Sequence, residues 1–158
     1  MKKELNHHYI GGSYGGNQNW FRTFMMRIGG CGAETACESS LYFAREFGFK
    51  NLYPFDCNQI KRDEYVDFAH IMENYLWPRI TGINKLSIYV NGYVKYLRDV
   101  EESRVDVSEF LGDNTYEEAA KKVKSQIDAG LPIPFLTLRH KDKAYDDYVW
   151  HWYLVNGY

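Results

Sequence analysis

One of the three cysteines, Cys31, sits in Gly29-Gly30-Cys31-Gly32-Ala33, a glycine-rich stretch followed at once by a helical stripe of small residues. The pattern predicts a thiol held where a loop gives way to a helix, and the partial positive charge of a helix N-terminus favours thiolate over thiol. Backbone N–H groups of the first turn could also receive a developing oxyanion. The chemistry open to such a cysteine is nucleophilic attack on a carbonyl, provided that a base is supplied from elsewhere. The chain offers five histidines for that role: His7, His8, His70, His140 and His151. Alternation separates His151 from the rest. On its segment Tyr148, Trp150, Trp152 and Leu154 share one face, and Val149, His151, Tyr153 and Val155 share the other. A histidine inside an apolar strand face is either a hydrogen-bonded core residue or a working group.

Positioning these two residues falls to a helix and a late strand. The helix is expected over residues 31–47, with Ala33, Ala36, Cys37, Ser40, Leu41, Ala44 and Phe47 turned inward and Gly48 as its stop. Small side chains allow close backbone approach, so this helix should be central and deeply buried. A second helix is expected over 63–76, capped by Asp63 and ended by Pro78. Leu86, Tyr89, Val90, Tyr93, Val94 and Leu97 mark a third. Thr115 and Glu118 open a fourth as a capping box, burying Tyr116, Ala119, Val123 and Ile127, and Gly130 closes it. The period then changes to two, and residues 133–140 and 148–156 read as strands joined by a polar loop over 141–147. Residues 11–19 read as loop, and 104–110 as a weaker strand. Helices first and antiparallel strands last make the class α+β, in one domain over 1–158.

Composition narrows the function. A formal charge of -2 gives no electrostatic case for nucleic acid or an anionic membrane surface. No apolar run reaches the ~20 residues that span a bilayer, and no apolar signal core follows the basic start, so a cytoplasmic location is expected. An odd number of cysteines at unmatched spacing suggests no disulfide framework. An aromatic content of 17% reads as core packing ahead of an aromatic groove.

Gly29-Gly30-Cys31-Gly32 leading into a long helix, and His151 opening a strand that ends Val155-Asn156-Gly157-Tyr158, resemble the papain-like cysteine peptidase superfamily. Within it the chain most resembles the C39-like group, whose bacterial members share this outline. The passage Ile127-Asp128-Ala129-Gly130-Leu131-Pro132-Ile133-Pro134-Phe135 is similar to the family's helix–Gly–x–Pro–strand connection. The resemblance implies a central N-terminal helix packed on a C-terminal antiparallel sheet. It implies Cys31 as nucleophile and His151 as base, acting on a peptide or amide by acyl transfer, with no cofactor and no catalytic metal. The alternative is a scaffold of the same fold that is catalytically inactive and binds a peptide or protein.

Two positions depart from the family pattern. Relatives carry a Gln or Asn about half a dozen residues before the cysteine, where this chain has Met25 and Met26. Gln18 and Asn19, farther upstream, and Gly30 beside the thiol are the remaining candidates for the oxyanion site, although Asn19 reads more simply as loop. Relatives also orient the histidine from a following strand, and Asn156 has the wrong parity for that role. The expectation is that the family's last strand or strands lie beyond Tyr158. Glu34, in the first helical turn, suits the helix dipole and takes a structural reading. Cys37 is expected in the core and Cys57 in a turn. His140 is expected at the surface and His70 partly exposed. Adjacent His7 and His8 could bind a metal, but such pairs near a terminus are usually solvated. A zinc site from Cys31, His140 and His151 is a minor alternative.

Overall fold

Helix α2 (Cys31–Glu46) is the element around which the rest of the chain packs, and its sequence explains why. Cys31, Gly32, Ala33 and every residue from Thr35 to Ala44 are buried, which small side chains on several faces permit. Gly48, at φ +71°, turns the chain away after the helix. Phe47 departs from the expected inward stripe: it is 42% exposed, at the C-cap where the helix leaves the core. The computed structural model describes residues 2–138 and 142–158.

The preceding chain holds a hairpin, β1 (Tyr9–Ile10) with β2 (Ser13–Tyr14), then a 3₁₀ turn over Gln18–Trp20 and the short helix α1 (Phe24–Gly29). Residues 11–19 are thus not all loop; two-residue strands are too short to show alternation in the sequence. Helix α3 (Arg62–Glu73) follows, with Lys61 rather than Asp63 at its N-cap and Asp63 inside the first turn. Helix α4 (Leu86–Asp99) buries Tyr89, Tyr93, Tyr96 and Leu97. Its tyrosines are core residues, and the hydroxyls of two of them find partners. Tyr93 shares a hydrogen bond of 2.9 Å with Ser40, and Tyr96 donates to the Leu52 carbonyl at 3.0 Å.

Helix α5 (Tyr116–Asp128) starts in the expected reciprocal box between Thr115 and Glu118, though Tyr116 is 82% exposed rather than buried. Residues 104–110 form no strand; Val105 and Val107 instead pack against the core from a segment without helix or strand. Strands β3 (Ile133–Thr137) and β4 (His151–Val155) pair antiparallel, with Thr137 opposite His151 and Ile133 opposite Val155. Both are shorter than expected. Residues 148–150 belong to a 3₁₀ segment over Lys143–Tyr148 and the turn after it, and His140 lies outside the described residues. Residues 3–5 run beside 156–158, linked by Lys3 N–H to the Tyr158 carbonyl at 2.9 Å and Leu5 N–H to the Asn156 carbonyl at 2.7 Å.

The architecture is α+β: helices with two small antiparallel sheets, in which α2 packs on β3 and β4. Trp152 projects from β4 into the core, 2% exposed, with its ring stacked 4.3 Å from Tyr89 and its indole N–H donated to the Ile83 carbonyl at 2.6 Å. No helix among the described residues is long and apolar enough to cross a membrane.

Candidate active site

Helix α1 ends at Gly29 and α2 begins at Cys31, so a single residue, Gly30, turns the chain between them. The glycine-rich stretch is a helix–helix junction, not a loop, and its glycines serve close contact. A Cβ on Gly29 would lie 2.5 Å from the Arg79 carbonyl oxygen, and one on Gly30 would lie 2.3 Å from that of Met26. One on Gly32 would lie 2.9 Å from Ile83 Cδ1. Gly30 donates its own N–H to the Met26 carbonyl at 3.0 Å, which removes it from the oxyanion candidates.

Cys31 is 5% exposed, and its sulfur lies where α2 meets β4. Burial pushes the thiol up. The Trp152 backbone N–H opposes that shift, the Glu34 charge adds to it, and the N–H groups of Gly32 and Cys31 oppose it. Desolvation wins, so the resting sulfur is a thiol and the helix N-terminus only moderates the shift. His151, next to the Trp152 whose N–H faces the sulfur, is half-buried, and burial pushes its imidazole down. Both shifts favour the neutral forms. The resting pair is therefore thiol and imidazole, in place of the thiolate expected from the helix start alone. Among the described residues no hydrogen bond orients the His151 ring; its neighbour is Tyr148, with ring centroids 5.9 Å apart. Trp150, just before it, holds φ at +60°, a left-handed conformation that costs a bulky residue about 1–2 kcal/mol.

The upstream amides are occupied or remote. Gln18 donates its side-chain amide to the Arg27 carbonyl at 2.7 Å, while its backbone N–H faces the Glu34 carboxyl. Asn19 is exposed within the 3₁₀ turn and donates its backbone N–H to Asn17 Oδ1 at 2.9 Å. Met26 is fully buried, so the position before the cysteine has become core. Asn156 donates its amide to the Tyr14 hydroxyl at 2.7 Å.

His151 opens onto a cleft of about 270 Å³ whose walls include Glu34, Glu38, His7, Gly15 and Asn156. Glu34 is more than an N-terminal charge. Burial and the neighbouring Glu38 carboxylate push its carboxyl up to about 8, against a smaller opposing effect of the Gln18 N–H, so it carries a proton at neutral pH.

His7 and His8 are not solvated. His8 is 2% exposed, and both rings meet the Glu38 carboxylate on α2, His7 Nε2 at 3.0 Å and His8 Nε2 at 2.9 Å. The sequence held a signal for this convergence: Glu38 is a charged residue within a helix otherwise rich in small core residues. His70 is partly buried and structural. It accepts the Arg22 N–H on Nε2 at 3.1 Å, which leaves the proton on Nδ1 for Glu73 at 2.7 Å. Cys37 is fully buried, and Cys57 sits half-buried with its sulfur 3.9 Å from the Ala44 carbonyl. The zinc set of Cys31, His140 and His151 falls partly outside the described residues.

No protein-family model matches the chain, and it matches neither a curated protein nor a solved structure.

Proposed function

We propose that the protein is a cysteine-dependent acyl-transfer enzyme of papain-like type, hydrolysing a peptide or amide bond. The observation that supports this reading is the approach of Cys31, at the start of buried α2, to β4, where the Trp152 backbone N–H faces the sulfur and His151 is the preceding residue of the strand. Cys31 Sγ attacks the substrate carbonyl carbon while neutral His151 takes the thiol proton. The oxyanion is received by free N–H groups of the α2 first turn. Collapse expels the amine, which leaves with the proton held by His151, and a thioester remains. Water then attacks the thioester as His151 takes its proton, and the carboxylic acid departs with the thiol restored. The pair rests neutral, so His151 has a free site for the proton, while both shifts raise the cost of the transfer that attack requires.

A second reading has an observation of its own. Met25 and Met26 stand in the stretch where the resemblance expects an amide donor, the Gln18 amide is engaged with Arg27, and no hydrogen bond orients the His151 ring among the described residues. These features favour a scaffold of the same fold that binds a peptide without cleaving it. A mixed peptide and amide library, analysed by mass spectrometry after incubation with the wild type, Cys31→Ala and His151→Ala, separates the two. The enzyme reading expects cleaved products with the wild type alone. The binding reading expects intact peptides retained equally by the wild type and Cys31→Ala.

A further inference from the structure

The buried cluster of His7, His8 and Glu38 has the form of a metal site, and the thiol chemistry makes no use of it. Their ligand-type atoms lie within 4.8 Å of one another, with Glu38 Oε2 within 3.0 Å of Nε2 on each ring. A tetrahedral zinc ion with bonds of about 2.0–2.1 Å sets its ligand atoms about 3.3 Å apart, so little movement is needed to seat one.

The imidazoles and the carboxylate approach closely without well-directed hydrogen bonds. His8 Nε2 and Glu38 Oε2 are both buried, and neither makes a directed hydrogen bond despite their closeness. The other carboxylate oxygen, Oε1, is fully engaged: Tyr65 donates its hydroxyl at 2.6 Å and Gly16 its N–H at 2.9 Å. One oxygen is thus locked by outer partners and the other left aimed at the imidazoles, the division of labour that orients a carboxylate ligand.

The hairpin is shaped around the same point. A Cβ on Gly15 would come within 2.9 Å of both Glu38 Oε2 and His7 Nε2, and one on Gly16 would strike the Tyr65 hydroxyl at 2.1 Å. The rings of His7 and His8 stack at 4.4 Å, so two successive residues present their nitrogens to one carboxylate instead of diverging as in a regular strand.

We propose that His7 Nε2, His8 Nε2 and Glu38 Oε2 bind one zinc-class divalent ion, with a fourth position toward the cleft that His7, Glu38 and His151 line. Two imidazoles and one carboxylate favour zinc or a neighbouring first-row ion; magnesium and calcium take oxygen ligands. The site pins the N-terminal hairpin to α2 and is independent of the thiol.

The test uses the full chain, stripped with a chelator and kept reduced, then titrated with Zn²⁺ and with Co²⁺. One equivalent should bind, Co²⁺ should show the intense visible bands of a four-coordinate site, and Zn²⁺ should raise Tm. His7→Ala and His8→Ala should each weaken binding by about 100-fold or more, and Tyr65→Phe, which keeps every ligand, by about 10–100-fold. Cys31→Ala and His70→Ala should bind as the wild type does. X-ray absorption of the zinc-loaded wild type, which needs no variant to fold, should show imidazole and oxygen ligands without sulfur. Failure to bind one equivalent, sulfur in the ligand shell, or unchanged affinity in His7→Ala would overturn the site.

Discussion

Glu34 ties the stability of the protein to pH in a way that a single substitution should erase. The native carboxyl titrates at about 8 against an ordinary 4.5, because burial and the Glu38 charge disfavour its ionised form. A group whose pKa is raised on folding binds more protons in the native state than in the unfolded chain. Its contribution is therefore complete below pH 4.5 and lost as pH rises toward about 8. At ~1.36 kcal/mol per pH unit, the full gap sets a ceiling of about 5 kcal/mol, and partial exposure of the residue brings the expected loss to about 2–4 kcal/mol. Glu34→Gln keeps the shape and cannot ionise. Urea unfolding of both proteins at several pH values from 4.5 to 9, with reductant and chelator present, reads the difference directly. The variant should match the wild type near pH 4.5 and exceed it increasingly up to pH 8.5, while its Cys31 alkylates faster above pH 8 for want of the Glu34 charge. Parallel stability curves across that range would refute the assignment of a buried, protonated carboxyl.

Other substitutions probe the scaffold that holds the site. Trp152→Phe removes the indole N–H bond to Ile83 and part of the stack on Tyr89, leaving a buried carbonyl without its donor. It should cost about 1–3 kcal/mol in urea unfolding and change the alkylation rate of Cys31. Gly29→Ala drives a methyl against the backbone carbonyl of Arg79, which a side-chain rotation cannot relieve. A loss of about 1–3 kcal/mol is expected, and a Tm equal to that of the wild type would show that the α1–α2 junction is loose. Thr115→Ala breaks the capping box of α5 and should cost about 1 kcal/mol, with Thr115→Ser close to the wild type.

What could be read from the residues followed from how local the physics is. The capping box at Thr115 and Glu118 and the stop at Gly48 depend on neighbours a few positions away, and both stand where the sequence puts them. Helix α2 was legible because a run of small residues has few uses other than close packing. Parity placed Trp152 and His151 on opposite faces of β4 but did not say which face was core; the contact of Trp152 with Tyr89 decides it. The hairpin at Tyr9–Tyr14 was missed because its stability comes from distant partners, chiefly Glu38 through His7, His8 and Gly16. The state of the thiol is hidden from the sequence for a related reason. A helix start argues for thiolate, but the enclosing contact with β4, set by residues more than a hundred positions away, makes desolvation the larger effect. The role of Glu34 is hidden in the same way, since its acidity depends on burial and on Glu38.

The acyl-transfer account stands on one chemical event, formation of a thioester on Cys31 with His151 as the base. Mixing the protein with p-nitrophenyl acetate, following the burst of p-nitrophenol and mapping the acetylated peptide by mass spectrometry tests it directly. The account predicts one acetyl group per chain, on Cys31 and not on Cys57, formed about 10²–10⁴-fold more slowly in His151→Ala and not at all in Cys31→Ala. Acetylation of Cys57 in preference to Cys31, or a rate unchanged by loss of His151, would contradict it.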